Sequence, residues 1–251
     1  MVVKSISNEK IRLFRDLASA KGRKENGCYL AEGANLVKDI PKSADVLFTF
    51  VKESKVEEFS SILNRFSAET VVVSDDLFDR ISQTVTPIGI AAIVKIPKSS
   101  DISELSEDKV IVLDGVSDAG NVGAILRTAV AAGYKQAIFI DCADPYAPKA
   151  VRASMSAIFK IDPIFCDNQS FLSSNINKLY DIIILDMGGE DIFSFRPEKK
   201  IALVVGNEAH GVNPEIKNTG RKISIPMENM ESLNAAVSAG IAMYVLGKNK
   251  R

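Results

Sequence analysis

From Val110 to Ile225 the chain carries a series of short apolar runs: Val110 to Leu113, Ala137 to Ile140, Ile161 to Phe165, Ile182 to Leu185, Ala202 to Val205 and Ile223 to Ile225. Each is rich in β-branched residues and nearly uninterrupted, the pattern of a strand covered on both faces. Helical spacing fills most of the intervals. The pattern predicts a parallel sheet with helices on both sides, whose ligands sit beyond the carboxyl ends of the strands. Upstream, Ile11, Phe14, Leu17 and Ala18 recur at helical spacing within Ser7 to Ala20, and Lys21 to Gly27 follows as a basic turn. Strands are predicted at Cys28 to Ala31, Val46 to Phe50, Val71 to Val73 and Ile90 to Ile96. Helices are predicted at Ala34 to Ile40, Val56 to Phe66 and from Asp75 or Asp76. Between the two patterns, Pro97 to Lys109 is polar, acidic and poor in apolar residues. The expected organisation is therefore a small α/β domain over 1–97, a linker over 98–108 and a larger parallel α/β domain over 109–251.

Composition narrows the function classes. With 251 residues, 46% of them hydrophobic, and a formal net charge of -1, the chain is globular and advertises no global field for a polyanion. A basic footprint must be local. Lys4, Lys10, Arg12, Arg15, Lys21, Arg23 and Lys24 precede Leu30 and face only Glu9, Asp16 and Glu25, which suggests a surface for phosphates; a solvated helix face is the plainer alternative. Cys28, Cys142 and Cys166 are far apart and only one histidine is present, so no metal site is expected. The first residues lack an apolar signal core and no apolar run approaches the roughly 20 residues that span a bilayer, so a soluble, cytoplasmic protein is expected.

Candidate chemistry gathers at three strand ends. After Leu113, glycines at 115, 120 and 123 surround Asn121, which can cap the following helix, and Arg127 falls off that helix's apolar stripe, free to offer its planar donor fork. The glycine spacing does not fit a dinucleotide fingerprint. After Val205, Gly206 permits close backbone approach, Glu208 can hold a cation or hydroxyl, and His210 has no nucleophile motif to serve. After Ile225, Pro226 stops the strand and Ser232, Leu233 and Asn234 open an alanine-rich helix. Ser232 as a simple N-cap is the alternative reading there.

These three segments resemble the SpoU/TrmH branch of the SPOUT RNA methyltransferases. Asn121 through Arg127, then Gly206-Asn207-Glu208 with Gly211, then Ile225-Pro226-Met227 with Ser232-Leu233-Asn234 match its three motifs in order. Lys10-Ile11, Lys21 to Gly27 and Glu32 to Val37 are similar to the RNA substrate-binding domain of the same enzymes. The resemblance implies a trefoil-knotted catalytic domain, S-adenosylmethionine as cofactor, a homodimer, and methyl transfer to a ribose 2'-hydroxyl of structured RNA; the appended N-terminal domain leans toward ribosomal RNA, with transfer RNA as the alternative. An RNA-binding module that keeps the fold without methyl transfer is the competing class. Carried over by position, the polar catalytic set is Asn121, Arg127, Glu208, Ser232 and Asn234. The cofactor contacts are Gly206, Ile225, Met227, Leu233 and Leu185, and the RNA contacts are Lys10, Arg12, Lys21, Arg23 and Lys24. Enzymes of this kind are often given an arginine as general base. A guanidinium stays protonated, so fixing a phosphate or polarising the 2'-oxygen is the chemically easier role for Arg127. The loop Glu228 to Glu231 is one residue shorter than the family's and lacks its glycine, and Ala236 and Ser156 stand where a polar residue and a glycine are usual.

Overall fold

The computed structural model describes residues 1–248. The chain forms two compact units, Met1–Pro97 with Asp144–Phe159, and Lys98–Ala143 with Lys160–Arg251.

In the first unit, helices α1 (Glu9–Asp16) and α2 (Ala20–Asn26) precede β1 (Cys28–Glu32), α3 (Ala34–Asp39), β2 (Val46–Lys52), α4 (Val56–Leu63), β3 (Glu69–Val73), α5 (Asp75–Ile81) and β4 (Ile90–Lys95). The sheet order is β1-β4-β2-β3, antiparallel except for the β2–β3 pair. Ile11, Phe14 and Leu17 of the first helical pattern are fully buried against Phe50, Phe78 and Ile93. The single helix expected over Ser7 to Ala20 is shorter, and the basic stretch after it is itself a helix rather than a turn. Ser19 caps α2 by accepting from the Gly22 amide at 3.0 Å, and Gly27 ends it at φ 61°, a left-handed conformation that favours glycine. Gly22 permits the tight join between α1 and α2, since a Cβ there would lie 2.0 Å from the Asp16 carbonyl oxygen.

The second unit begins with the polar segment after Pro97. It is fastened down: Asp101 and Glu104 form a reciprocal capping box, the Ser100 amide donates to the Pro163 carbonyl, and Ile102 and Leu105 pack on the core. Then come β5 (Lys109–Asp114), α6 (Ala119–Ala131), β6 (Gln136–Ile140), α7 (Pro148–Ser154, which belongs to the first unit), β7 (Asp162–Cys166), α8 (Asn168–Ser173), β8 (Tyr180–Asp191), β9 (Lys200–Val205), α9 (Pro214–Lys217), β10 (Arg221–Ser224) and α10 (Ala235–Lys248). The six strands lie in the order β10-β8-β9-β5-β6-β7, and every neighbouring pair is parallel, as the apolar runs predict. Val110, Ile111, Val112 and Leu113 of central β5 are all 0% exposed, which explains why these strands show no polar alternation.

One irregularity shapes the site. The pairing of β8 with β10 jumps from Ile184–Lys222 to Glu190–Ile223, so Leu185 to Gly189 bulge away from the ladder. Gly189 makes the bulge possible, because a Cβ there would meet the Ile223 backbone at 2.4 Å.

Candidate active site

The carboxyl ends of β8, β9 and β10 and the N-terminus of α10 enclose a cavity of about 570 Å³. Leu185 and Met187 of the β8 bulge, Val205 and Gly206 after β9, Ile225 and Met227 after β10, and Leu233 supply its apolar wall. Asp186, Glu208, His210, Lys217, Ser232 and Asn234 supply its polar groups.

Each wall has a local cause. The loop after β9 closes on itself: Asn207 and Gly211 exchange backbone hydrogen bonds at 3.0 and 2.9 Å, and the Asn207 Oδ1 accepts from the amides of Ala209 and His210. The Asn207 Nδ2 ties this loop to β5 by donating to the Gly115 carbonyl at 2.8 Å. Gly206 is held to glycine by the same closure, since a Cβ would lie 2.3 Å from the Gly211 carbonyl carbon and the Val212 nitrogen.

The polar set forms one chain of hydrogen bonds. Asp118, not Asn121, caps α6, accepting from the Asn121 amide at 2.9 Å. That leaves the Asn121 side chain free to donate from Nδ2 to Glu208 at 2.8 Å while its Oδ1 accepts from the Asn234 Nδ2 at 3.0 Å. Asn234, not Ser232, caps α10, its Oδ1 accepting from the Ala236 and Val237 amides. The packing of α10 against α6 brings the two asparagines together. Glu208 also accepts from the Ser117 amide and hydroxyl, at 3.2 and 2.9 Å. Partial burial pushes the Glu208 carboxyl up, but the hydrogen bonds from Asn121 and Ser117 outweigh it and pull the carboxyl down to about 2. The centre of the network is thus a fixed anion.

Of the residues the sequence singles out, Leu185, Gly206, Ile225, Met227 and Leu233 converge on the cavity together with Glu208, Ser232 and Asn234, and Asn121 joins them through its bonds. Arg127 lies further along α6, exposed and outside the cavity lining, and its side chain makes no hydrogen bond or ion pair with a described residue. Sequence reasoning missed three contributors: Ser117, which seats Glu208; Asn207, which holds the loop; and the Asp186–Lys217 ion pair at 2.5 Å. Asn207 stands in a quoted motif, but nothing in its neighbours shows which groups its amide would join.

The basic cluster of the first unit disperses. Arg23 is only 4% exposed; its Nε donates to Asp144 at 2.7 Å and its Nη1 to the carbonyls of Leu17 and Ala18, so it is corrected from an RNA contact to a buried structural residue. Lys10 pairs with Glu69 and lies over the Phe48 ring, and Lys21 sits 3.7 Å from Glu25. Arg12 and Lys24 are exposed.

Comparison with known proteins resolves the class. Residues 108–244 match the SpoU rRNA methylase family. The chain belongs to that family. Residues 8–92 of this SpoU methylase match the MRM3-like substrate binding domain. Among its relatives, 23S rRNA (guanosine(2553)-2'-O)-methyltransferase RlmP of Bacillus subtilis (strain 168) is 29% identical over 252 residues, which cover 97% of this chain and 98% of that protein. A mitochondrial rRNA methyltransferase 3A of Danio rerio is 28% identical over 295 residues, covering 94% of this chain and 67% of the relative. Among solved structures, an AdoMet-bound rRNA methyltransferase from Sinorhizobium meliloti shares the fold at a TM-score of 0.86 and 24% identity, over 98% of this chain and 96% of that one. A TrmH-family protein from Porphyromonas gingivalis gives 0.83 at 26% identity, over 96% and 98%. As a SpoU member the protein is an RNA methylase. No helix among the described residues is long and apolar enough to cross a membrane, and no cluster of metal-ligating side chains occurs among them.

Proposed function

We propose that this protein transfers the methyl group of S-adenosylmethionine to a ribose 2'-hydroxyl of ribosomal RNA. The observation that carries the reading is the convergence of the Glu208–Asn121–Asn234 network on the cavity at the carboxyl ends of β8, β9 and β10. The cavity suits the cofactor: its volume lies in the range of small-molecule sites, and its lining joins the apolar side chains of Leu185, Met187, Ile225, Met227 and Leu233 and the backbone of Gly206 to polar groups that can meet the cofactor's amino-acid and ribose parts. When bound, the cofactor supplies a sulfonium-activated methyl, so the protein's task is alignment and handling of one weakly acidic proton.

Leu185, Gly206, Ile225, Met227 and Leu233 hold the cofactor. Asn234, held by Asn121 and by its capping bonds, presents a fixed dipole at the rim, and Ser232 beside it offers both a donor and an acceptor to the ribose. Bound there, the cofactor would offer its methyl to the ribose 2'-oxygen, and Ser232 and Asn234 would orient the hydroxyl that gives up its proton. Arg127, unpaired and off the buried stripe, anchors a phosphate of the target strand or polarises the reacting oxygen. In this division of labour residues 109–251 carry the chemistry and 1–97 bind RNA, through Arg12 and Lys24 with Lys10 and Lys21 alongside. The trefoil knot and the homodimer belong to the same proposal; exposed Val237 and Tyr244 on α10 offer an apolar face for a second copy. Ribosomal over transfer RNA is supported by the names of the relatives and by the substrate-binding domain match.

Mapping 2'-O-methyl positions in total RNA from a deletion strain and its parent tests the proposal. Loss of a single ribosomal position supports it, loss from transfer RNA moves the substrate, and an unchanged map refutes it.

A further inference from the structure

Two charged residues in the cavity wall are not needed by any step above. Asp186 lies in the β8 bulge and Lys217 ends α9, and their side chains meet at 2.5 Å while remaining only 20% and 27% exposed. Their surroundings tie them to structure on both sides. Asp186 Oδ1 accepts from the Gly188 amide at 3.0 Å, closing a turn within the bulge itself. The α9 end is anchored in turn: Asn213 caps that helix by accepting from the Glu215 amide, and its own amide donates at 2.5 Å to Asp114, a carboxylate 5% exposed at the end of β5. A continuous brace therefore runs from the end of β5 through Asn213 and α9 to Lys217, Asp186 and the bulge.

The bulge needs such a brace. Leu185 to Gly189 have no ladder partners on β10, and the tie to that strand comes only at the far end of the bulge, where the Ser224 hydroxyl donates to the Gly189 carbonyl at 2.9 Å. Two glycines, Gly188 and Gly189, add backbone freedom at that point. Yet Leu185 and Met187 form one side of the cavity. A segment without ladder bonds can be a precise wall only if side chains hold it.

We propose that Lys217 and Asp186 are positioning residues for the cofactor: the pair locks the β8 bulge in its receiving shape and so sets cofactor affinity without contacting the methyl or the ribose. This rests on the methyltransferase reading. The hydrogen bond from Lys217 Nζ lowers the Asp186 carboxyl below its ordinary value, with the Gly188 amide adding to the effect. The pair keeps partial contact with water, so its loss should register in ligand preorganisation far more than in global stability.

The test compares wild type, Lys217→Met, Asp186→Asn and Lys217→Arg by calorimetric titration with S-adenosylmethionine, steady-state kinetics on ribosomal RNA, and thermal melting. The expected result is a rise of about tenfold in Kd and in KM for the cofactor for Lys217→Met and Asp186→Asn, of the size that loss of an outer orienting partner brings. The kcat at saturating cofactor should fall less than about threefold. Melting should shift by no more than about 2 °C, and Lys217→Arg, which keeps the charge and reach, should restore most of the affinity. Wild-type affinity in Lys217→Met overturns the proposal. So does an equal loss in Lys217→Met and Lys217→Arg accompanied by a large fall in melting temperature, which would make the residue a packing element. If wild type itself binds no S-adenosylmethionine, the functional reading fails and this one with it; if wild type binds and the variants match it, only this inference fails.

Discussion

Two polar groupings look alike in the sequence and differ in the folded chain. The basic residues between Lys4 and Lys24 are neighbours in sequence, yet folding sets them apart: Arg23 is buried against Asp144, while Lys10 and Lys21 stay at the surface in pairs with Glu69 and Glu25. Asn121, Glu208 and Asn234 are far apart in sequence, yet folding assembles them into one bonded chain at the mouth of a cavity. Nearness in sequence on short helices spreads side chains round the helix axis, whereas the carboxyl ends of parallel strands collect loops at one place. A charge cluster read from sequence is therefore a weak guide to a site, and punctuation at strand ends is a stronger one.

The comparison breaks most visibly at Gly206. Gly206→Ala places a Cβ 2.3 Å from the Gly211 carbonyl carbon and must displace the loop that carries Glu208. Binding of S-adenosylmethionine in a calorimeter is expected to weaken by about a hundredfold or more, the scale of a small misplacement at a reacting site. Near wild-type binding would show that the loop does not shape the cavity.

Arg23→Ala comes next, and acts on stability. It removes a buried guanidinium and leaves Asp144 without its partner, for an expected loss of about 3 kcal/mol in chemical denaturation. Arg12→Ala and Lys24→Ala should leave stability unchanged, weaken RNA binding, and each reduce the slope of log affinity against log salt by about 1. A stable Arg23→Ala protein with weakened RNA binding would make Arg23 an RNA contact and not a structural residue.

The strands were legible because burial on both faces writes itself as unbroken β-branched runs, as in Val110 to Leu113. Helix α2 was not, because Ala20 to Asn26 has no apolar stripe and owes its form to the Ser19 cap and the left-handed Gly27. The β8 bulge hid behind Leu185 to Gly189, which in sequence resemble the end of a strand; only the pairing of β10 shows that β8 resumes at Glu190. The attachment of Asp144–Phe159 to the first unit rests on long-range contacts such as Arg23 with Asp144 and Tyr29 beside Tyr146, which no local pattern records. At the site, the resemblance picked out Asn121 and Asn234 by type. That Asp118 and not Asn121 caps α6 depends on where that helix starts, to within a residue.

A smaller effect concerns pH. The Glu208 carboxyl is depressed in the folded state, from 4.5 to about 2, so its contribution to stability is fully present above 4.5 and lost as pH falls through about 2. Wild type should melt slightly higher than Glu208→Gln at about pH 7, and the gap should close on acidification to about pH 3 and below. A gap that widens with acid would mean that Glu208 is not held as an anion by Asn121 and Ser117.

The proposed transfer to a ribose oxygen is tested by incubating ribosomal RNA with the protein and methyl-tritiated S-adenosylmethionine, followed by complete alkaline hydrolysis. A 2'-O-methyl blocks cleavage of the adjoining phosphodiester, so label is expected in alkali-resistant dinucleotides, and Asn121→Ala should remove it. Label in mononucleotides, the mark of base methylation, or no transfer at all would contradict the account.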